Sequence, residues 1–155
     1  MNARAKVEGG TRRRVGCPEE DAFTSLLLTA DKLSRKVEKV LRMADVSPTQ
    51  YNVLRILRGS PQGLACSEIG KRMISRDPDI TRLLDRLEKR GLVSRCRENE
   101  DRRLVLTRIM PQGLALLAEL DAPVTETHRS QLGHLGRERL QALMELLAAA
   151  RERAT

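Results

Sequence analysis

The sequence has almost no aromatic side chains: its 155 residues contain no tryptophan, one phenylalanine and one tyrosine. Its core must therefore be built from aliphatic side chains, mostly leucine, which is a strong helix former. The hydrophobic share of 40% is that of a globular chain rather than a disordered one. Since the length also suits a single domain, we expect one mainly α-helical domain.

Cysteine and histidine are also scarce, with three cysteines (Cys17, Cys66, Cys96) and two histidines (His128, His134). The odd cysteine count and the lack of a Cys-x-x-Cys spacing argue against a disulfide scaffold and a zinc cluster. The two histidines lack paired carboxylates nearby, so we expect no metal and no cofactor.

No apolar run approaches the roughly 18–20 residues that a transmembrane helix needs. The basic N-terminus lacks the apolar stretch of a signal peptide. The sequence also contains no Ser/His/Asp arrangement and no phosphate-binding glycine loop. We therefore expect a cytoplasmic protein that has no membrane partner and is not an enzyme.

Positive charge is in excess, with a formal net charge of +8, and it is concentrated in two regions. Residues 1–16 carry five basic and one acidic side chain, and residues 71–108 carry twelve basic and seven acidic ones. Such an excess indicates a polyanionic partner. Residues 1–18 are polar, basic and rich in glycine, which predicts a flexible arm that either is a plain tail or contacts phosphate non-specifically.

Apolar spacings of three and four predict a series of helices after the arm. The first covers about 19–44. Ser47, Pro48 and Gln50 form a strong start signal for the second, as N-cap, first-turn proline and capping-box partner. A short helix near 66–74 and a helix over 78–90 follow, and Gly91 is expected to end the latter.

The period then changes to that of strands. Residues 92–97 and 104–109 predict a β-hairpin with a polar tip over 98–103. Two further helices are expected, over 111–130 and up to about 152. A short helix, a tight turn, a basic helix and a hairpin are the order of a winged helix-turn-helix with a two-stranded β-wing.

The helix over 78–90 presents a polar, basic face opposite its apolar one, which could be merely solvated or could enter a major groove. In the second interpretation its N-terminal end meets base edges. The candidates for base or near-base contact are Arg76, Asp79, Thr81 and Arg82, with Arg86 reaching a phosphate. Asp79 is anomalous because a carboxylate repels phosphate; it either orients Arg82 or accepts from a cytosine amino group.

The hairpin tip is the second candidate contact. Arg102 and Arg103 can reach a minor groove, where narrow A·T stretches concentrate negative potential. Asp101 can hold an arginine by a charge-assisted hydrogen bond.

Several of these segments closely resemble the MarR family of transcriptional regulators. The most specific are the run Pro-Asp-Ile-Thr-Arg-Leu-Leu-Asp-Arg-Leu-Glu-Lys-Arg-Gly-Leu-Val at 78–93 and Glu-Asp-Arg-Arg at 100–103. Residues 50–54, 67–70 and 106–113 are also similar to the family. The likeness extends over about 19–150.

The resemblance implies a homodimer that binds a pseudo-palindromic double-stranded operator, usually as a repressor released by a small ligand or by oxidation. Dimerisation helices are implied at 19–45 and 111–153 of a single domain spanning 19–155, around a DNA-binding lobe at 46–110. Asp101 and Arg103 match the Asp-x-Arg pattern of the family's wing. Ala65 and Met110 depart from it, each standing where a hydroxyl often caps a helix.

Two alternatives remain open. One is a thiol-based redox sensor on the same scaffold, with Cys17 as the sensor, although the tyrosines that usually surround such a cysteine are missing. The other is a winged-helix protein-interaction module without specific DNA binding, against which Arg82, Arg86 and Arg103 argue.

Overall fold

The computed structural model describes residues 17–75, 79–97 and 105–154, and these are mostly helical with one small antiparallel sheet, as predicted. The elements are, in chain order, α1 (Pro18–Met43), α2 (Pro48–Arg58), β1 (Leu64–Ala65), α3 (Cys66–Arg72), α4 (Ile80–Lys89), β2 (Val93–Arg97), β3 (Val105–Ile109), α5 (Pro111–Leu132), a 3-10 turn (Gly133–Leu135) and α6 (Gly136–Glu152). The chain divides into two compact units, with the boundary between Leu33 and Ser34.

The first unit contains the start of α1. The predicted arm lies outside the described residues as far as residue 16, but Pro18 is already helical, one residue earlier than expected. Proline is tolerated there because a first-turn N–H has no intrahelical partner to lose. Glu19, Glu20 and Asp21 follow in the first turn, where negative charge suits the helix dipole. The large apolar side chains Phe23, Leu26, Leu27 and Leu28 are exposed.

The second unit contains the hydrophobic core. Its buried side chains come from the end of α1, from α2, α3, α4 and α5, and from the start of β2. They are Leu41, Val46, Tyr51, Val53, Leu54, Leu57, Ile69, Leu83, Leu84, Leu87, Leu92, Val93, Leu117, Leu120 and Val124. The core is aliphatic apart from Tyr51, as the composition predicts.

Helix α2 starts where the sequence indicates. The Gln50 backbone N–H donates to Ser47 Oγ at 3.2 Å, and the Ser47 N–H donates to Gln50 Oε1 at 3.0 Å. This reciprocal capping box satisfies two backbone donors, so the predicted cap is confirmed.

The sheet has three strands rather than the two expected, in the order β1-β3-β2. Leu64 and Ala65 pair with Thr107 and Leu106. A strand of two residues is too short to show an alternating pattern, so it escapes detection in the sequence. The predicted hairpin of β2 and β3 is present, with Val93 opposite Ile109 and Arg97 opposite Val105. The predicted tip over 98–103 and Leu104, the first residue of the predicted second strand, lie outside the described residues.

Helix α4 ends at Lys89 and has Arg90 as its C-cap, so Gly91 follows directly as the predicted stop. Gly91 has a φ of 68°, its N–H donates to Glu88 O, and the Leu92 N–H donates to Leu87 O at 3.0 Å. These two bonds are those of a Schellman motif, in which glycine accepts the left-handed conformation without a Cβ clash. The chain is thereby turned directly into β2.

The C-terminal helices differ in how much they bury. Helix α5 contributes Leu117, Leu120 and Val124 to the core and contains Pro123 in its interior. None of the residues of α6, all of which the structure describes, is buried. Leu143, Met144 and Leu146 are exposed there.

Candidate nucleic-acid interface

The turn between α3 and α4 is held from α2. Asn52 Oδ1 accepts from the backbone N–H of Ile74 at 2.9 Å. Arg72, the last residue of α3, donates to Ser60 Oγ at 3.1 Å. Helix α3 ends at Arg72 rather than near 74 as predicted, because these two contacts direct the chain into the turn. Both contacts fix the start of this turn, where the chain leaves α3.

Asp79 is the N-cap of α4. Its Oδ1 accepts from the Arg82 backbone N–H at 3.2 Å, and its Oδ2 lies 3.8 Å from Arg82 NH1. Helix α4 therefore starts at Ile80, later than the predicted start at 78, because the side chain that caps it belongs to Asp79. The cap gives a structural reason for a carboxylate at this position, and the orienting role toward Arg82 stays a prediction.

The exposed side of α4 forms a cationic ridge of Arg82 and Lys89. At 100° per residue these two lie directly opposite the buried Leu83, Leu84 and Leu87. Arg82 has 73% of its side chain exposed, and Lys89 is also exposed. Lys89 was not among the predicted contacts, although its spacing of seven residues from Arg82 is the signal that places it on the same ridge.

Thr81 and Arg86 lie on either side of this ridge, and both are exposed. Arg86 borders a cleft of about 300 Å³ between the end of α1 and the start of α2. The other residues that line it are Glu38, Arg42, Asp45, Val46, Ser47, Pro48 and Gln50. Arg86 therefore links the basic side of α4 to a cavity in the same unit.

The other flank of α4 carries two carboxylates that face β2, Asp85 and Glu88. Arg95 of β2 lies between them: its Nε is 2.9 Å and its NH2 2.7 Å from Glu88 Oε2, and NH2 also donates to Asp85 Oδ1. The Arg95 backbone N–H donates to Glu88 Oε1 at 2.9 Å. The side-chain hydrogen bonds from Arg95 lower the pKa of Glu88, and those to Glu88, followed by the one to Asp85, raise the pKa of Arg95.

This three-residue contact, which we call the Arg95 clamp, was missed in the sequence. Two acidic residues three apart on a helix are usually a solvated pair, so they gave no sign of a partner. The available signal was the position of Arg95, which follows the Gly91 turn closely enough to fold back onto α4.

The remaining candidates fall into two groups. Arg76, Asp101, Arg102 and Arg103 lie outside the described residues. Cys17 is exposed, and its Sγ accepts from the Glu20 N–H at 3.4 Å. Within the ranges 17–75, 79–97 and 105–154, no group of three His, Cys, Asp or Glu is placed to hold a metal ion, and no helix is long and apolar enough to span a membrane.

Comparison with known proteins agrees with this arrangement. Residues 46–105 match the sequence profile of the MarR family. The HTH-type transcriptional regulator FarR of Neisseria gonorrhoeae is 28% identical over 79% of this chain and 84% of its own length.

Two solved structures extend the match beyond the profile. A MarR transcription factor from Planctomyces limnophilus is 39% identical, with a TM-score of 0.66 over 88% of this chain and 99% of its own. NadR in complex with 4-hydroxyphenylacetate is 25% identical, with a TM-score of 0.69 over 97% of both chains. The fold is therefore the winged helix-turn-helix that the sequence predicts, and the relatives are transcription regulators rather than enzymes. This chain belongs to the MarR family of transcription regulators.

Proposed function

We propose that this protein is a sequence-specific DNA-binding regulator that acts in the cytoplasm as a homodimer on a pseudo-palindromic operator. The observation that carries the proposal is the cationic ridge of Arg82 and Lys89, exposed on a helix that follows a turn held at its start by Asn52. A helix that follows such a turn inserts its N-terminal end into a major groove. The ridge then lies where base edges and flanking phosphates are found.

The residues divide into two roles. Thr81 and Arg82 lie in the first turn of α4 and are proposed to meet base edges, as an arginine does with the O6 and N7 of guanine. Arg86 and Lys89 lie one to two turns further along and are proposed to contact phosphates, which give affinity without sequence information. Arg76 and the wing residues Asp101, Arg102 and Arg103 remain candidates on the strength of the family resemblance.

The proposed dimer is supported by a set of large apolar side chains that are exposed to solvent in a single copy of the chain. In the first unit these are Phe23, Leu26, Leu27 and Leu28, and in the second they include Leu143, Met144 and Leu146 of α6. Several large apolar side chains left exposed on one helix mark an interaction site. A second copy of the chain is the proposed partner because two-fold dimers place two α4 helices one DNA turn apart.

We also propose that the protein is a repressor released by a small effector. Its relative NadR was solved with 4-hydroxyphenylacetate, an aromatic carboxylate. The cleft offers the guanidinium of Arg86 to such a ligand, beside Arg42, which is paired with Glu38 at 3.0 Å. A molecule bound there would contact α4 directly through Arg86 and so favour one position of that helix over another.

The DNA-reading role is tested with Arg82→Ala and the matched control Arg151→Ala, which removes the same charge from the exposed end of α6. Fluorescence anisotropy would be measured on a duplex that the protein selects and on a scrambled one. We expect Arg82→Ala to cost about 1–3 kcal/mol on the selected duplex and much less on the scrambled one. Equal losses on both would refute base reading by Arg82.

A further inference from the structure

The helix proposed to meet DNA carries the carboxylates of Asp85 and Glu88 as well as its arginines. Asp85 lies three residues from Arg82, on the flank that faces β2. Unpaired carboxylates at these positions would repel DNA phosphates over a distance of roughly 10 Å at moderate salt. The helix therefore needs a counter-charge, and Arg95 of β2 supplies it.

We propose that Arg95 is a positioning residue for DNA binding, which offsets part of the negative charge of Asp85 and Glu88 and holds strand β2 of the wing in a fixed position against α4. This inference rests on the proposed function. In this proposal the Arg95 side chain reduces the negative charge on α4 and also positions the wing relative to α4.

The geometry suits a holding role. Glu88 contacts Arg95 twice, through the backbone N–H with one oxygen and through the guanidinium with the other. The guanidinium also reaches Asp85 with the same NH2 that contacts Glu88. A lysine could supply the charge but not the planar fork that joins two carboxylates at once.

Because the clamp is partly exposed, its effect on DNA binding can be measured separately from any effect on the free energy of unfolding. The side chains of Arg95, Asp85 and Glu88 are 27%, 44% and 37% exposed. Ion pairs this accessible to water contribute little to the free energy of unfolding. A variant that breaks the clamp should therefore stay folded, and its defects can be measured in DNA binding and in the mobility of β2.

The test uses four forms of the full chain: wild type, Arg95→Met, Arg95→Lys, and the triple variant Arg95→Met/Asp85→Asn/Glu88→Gln. Arg151→Met is the control for loss of one positive charge elsewhere. Each is titrated with the selected duplex and with a scrambled one, and the exchange of backbone amide hydrogens in β2 is followed without DNA.

We expect Arg95→Met to lose about tenfold in affinity for the selected duplex, with a smaller loss on the scrambled one. The triple variant should bind the scrambled duplex at least as tightly as wild type, because both carboxylates are gone and its net charge is one unit more positive, yet it should stay weaker on the selected duplex. Arg95→Lys should bind the scrambled duplex as wild type does and the selected one less well. Amide exchange in β2 should quicken in Arg95→Met and in the triple variant, while α2 keeps its protection.

Unchanged affinity for the selected duplex in Arg95→Met would overturn the proposal, and so would unchanged amide exchange in β2. A triple variant no better than Arg95→Met on the scrambled duplex would overturn the charge-offsetting role. The scrambled-duplex and exchange measurements need no operator. If the wild type shows no sequence preference, the proposed function fails, and these two measurements still decide the role of Arg95.

Discussion

Arg58 of α2 and Asp121 of α5 form a two-point ion pair, with NH1 2.7 Å from Oδ2 and NH2 3.0 Å from Oδ1. The two residues are 63 positions apart in the sequence, so the pair fastens α5 to a helix of the predicted DNA-binding lobe. Hydrogen bonding between the charged forms lowers the pKa of Asp121 and raises that of Arg58.

This pair predicts a defined acid sensitivity. Because the Asp121 pKa in the folded protein lies below its ordinary value of 3.8, the stabilisation is fully present above pH 3.8 and is lost as the pH falls through the folded pKa. Both side chains are more than a third exposed, so water screens the pair and its contribution should stay below about 1 kcal/mol. Urea unfolding of wild type and Asp121→Asn should therefore differ at neutral pH and converge in acid; a constant difference would contradict this account.

The role of Asp79 can be separated from base reading. Asp79→Ala removes the cap of α4 and should cost about 1 kcal/mol of stability. Asp79→Asn keeps a side-chain oxygen to accept from the Arg82 N–H and removes a charge that repels phosphate. We expect it to bind the selected duplex at least as tightly as wild type, as measured by anisotropy. A changed base preference in Asp79→Asn would instead indicate that Asp79 contacts a base.

Asp45 ends α1 in the left-handed conformation, with a φ of 53°. The Val46 N–H donates to Leu41 O at 3.1 Å, and the Asp45 carbonyl accepts from Arg90, so the turn itself depends on backbone atoms. Asp45→Gly keeps these bonds without a Cβ clash. It should be more stable than Asp45→Ala by about 1 kcal/mol in chemical unfolding. Equal stabilities would show that the left-handed turn carries no strain.

Gly113 of α5 leaves no room for a side chain against Leu92 and Ile109. A Cβ there would lie 2.4 Å from Leu92 O and 2.9 Å from Ile109 Cγ1, and Leu92 O already accepts from the Met110 N–H. Gly113→Ala should therefore destabilise by about 1–3 kcal/mol in thermal unfolding.

Gly133 provides the control for this substitution. A Cβ at Gly133 would meet only Arg129 Cγ, at 3.6 Å among the described residues, and its φ of −61° suits alanine. Gly133→Ala should be neutral or slightly stabilising. An equally small effect of Gly113→Ala would contradict this account, because it would mean that α5 can move away from Leu92 without loss of stability.

Features that depend on neighbours in sequence were predictable. The Ser47 capping box, the Gly91 stop and the leucines of α4 each arise within one or two helical turns, so local spacing and turn chemistry define them. The change of period after Gly91 predicted the wing, and the family resemblance added the expected dimer. These signals together gave the fold class and the basic helix.

Features that depend on distant partners were not predictable. Strand β1 exists only because β3 pairs with it, and two residues cannot show a period. The Arg95 clamp and the Arg58–Asp121 pair join residues on different elements, and charged residues with such partners look in the sequence like solvated ones. The sequence likewise gave Asp79 two possible roles, and its cap contact became visible only in three dimensions.

The most direct test of the account is to select the DNA sequences that the protein binds from a random library. The wild type would be incubated with a library of random duplexes at physiological salt, and the bound molecules amplified and sequenced. The account predicts enrichment of a pseudo-palindrome with half-sites about 10 bp apart, and loss of base preference at defined positions in Arg82→Ala. Binding without enrichment, fading uniformly as salt rises, would contradict it.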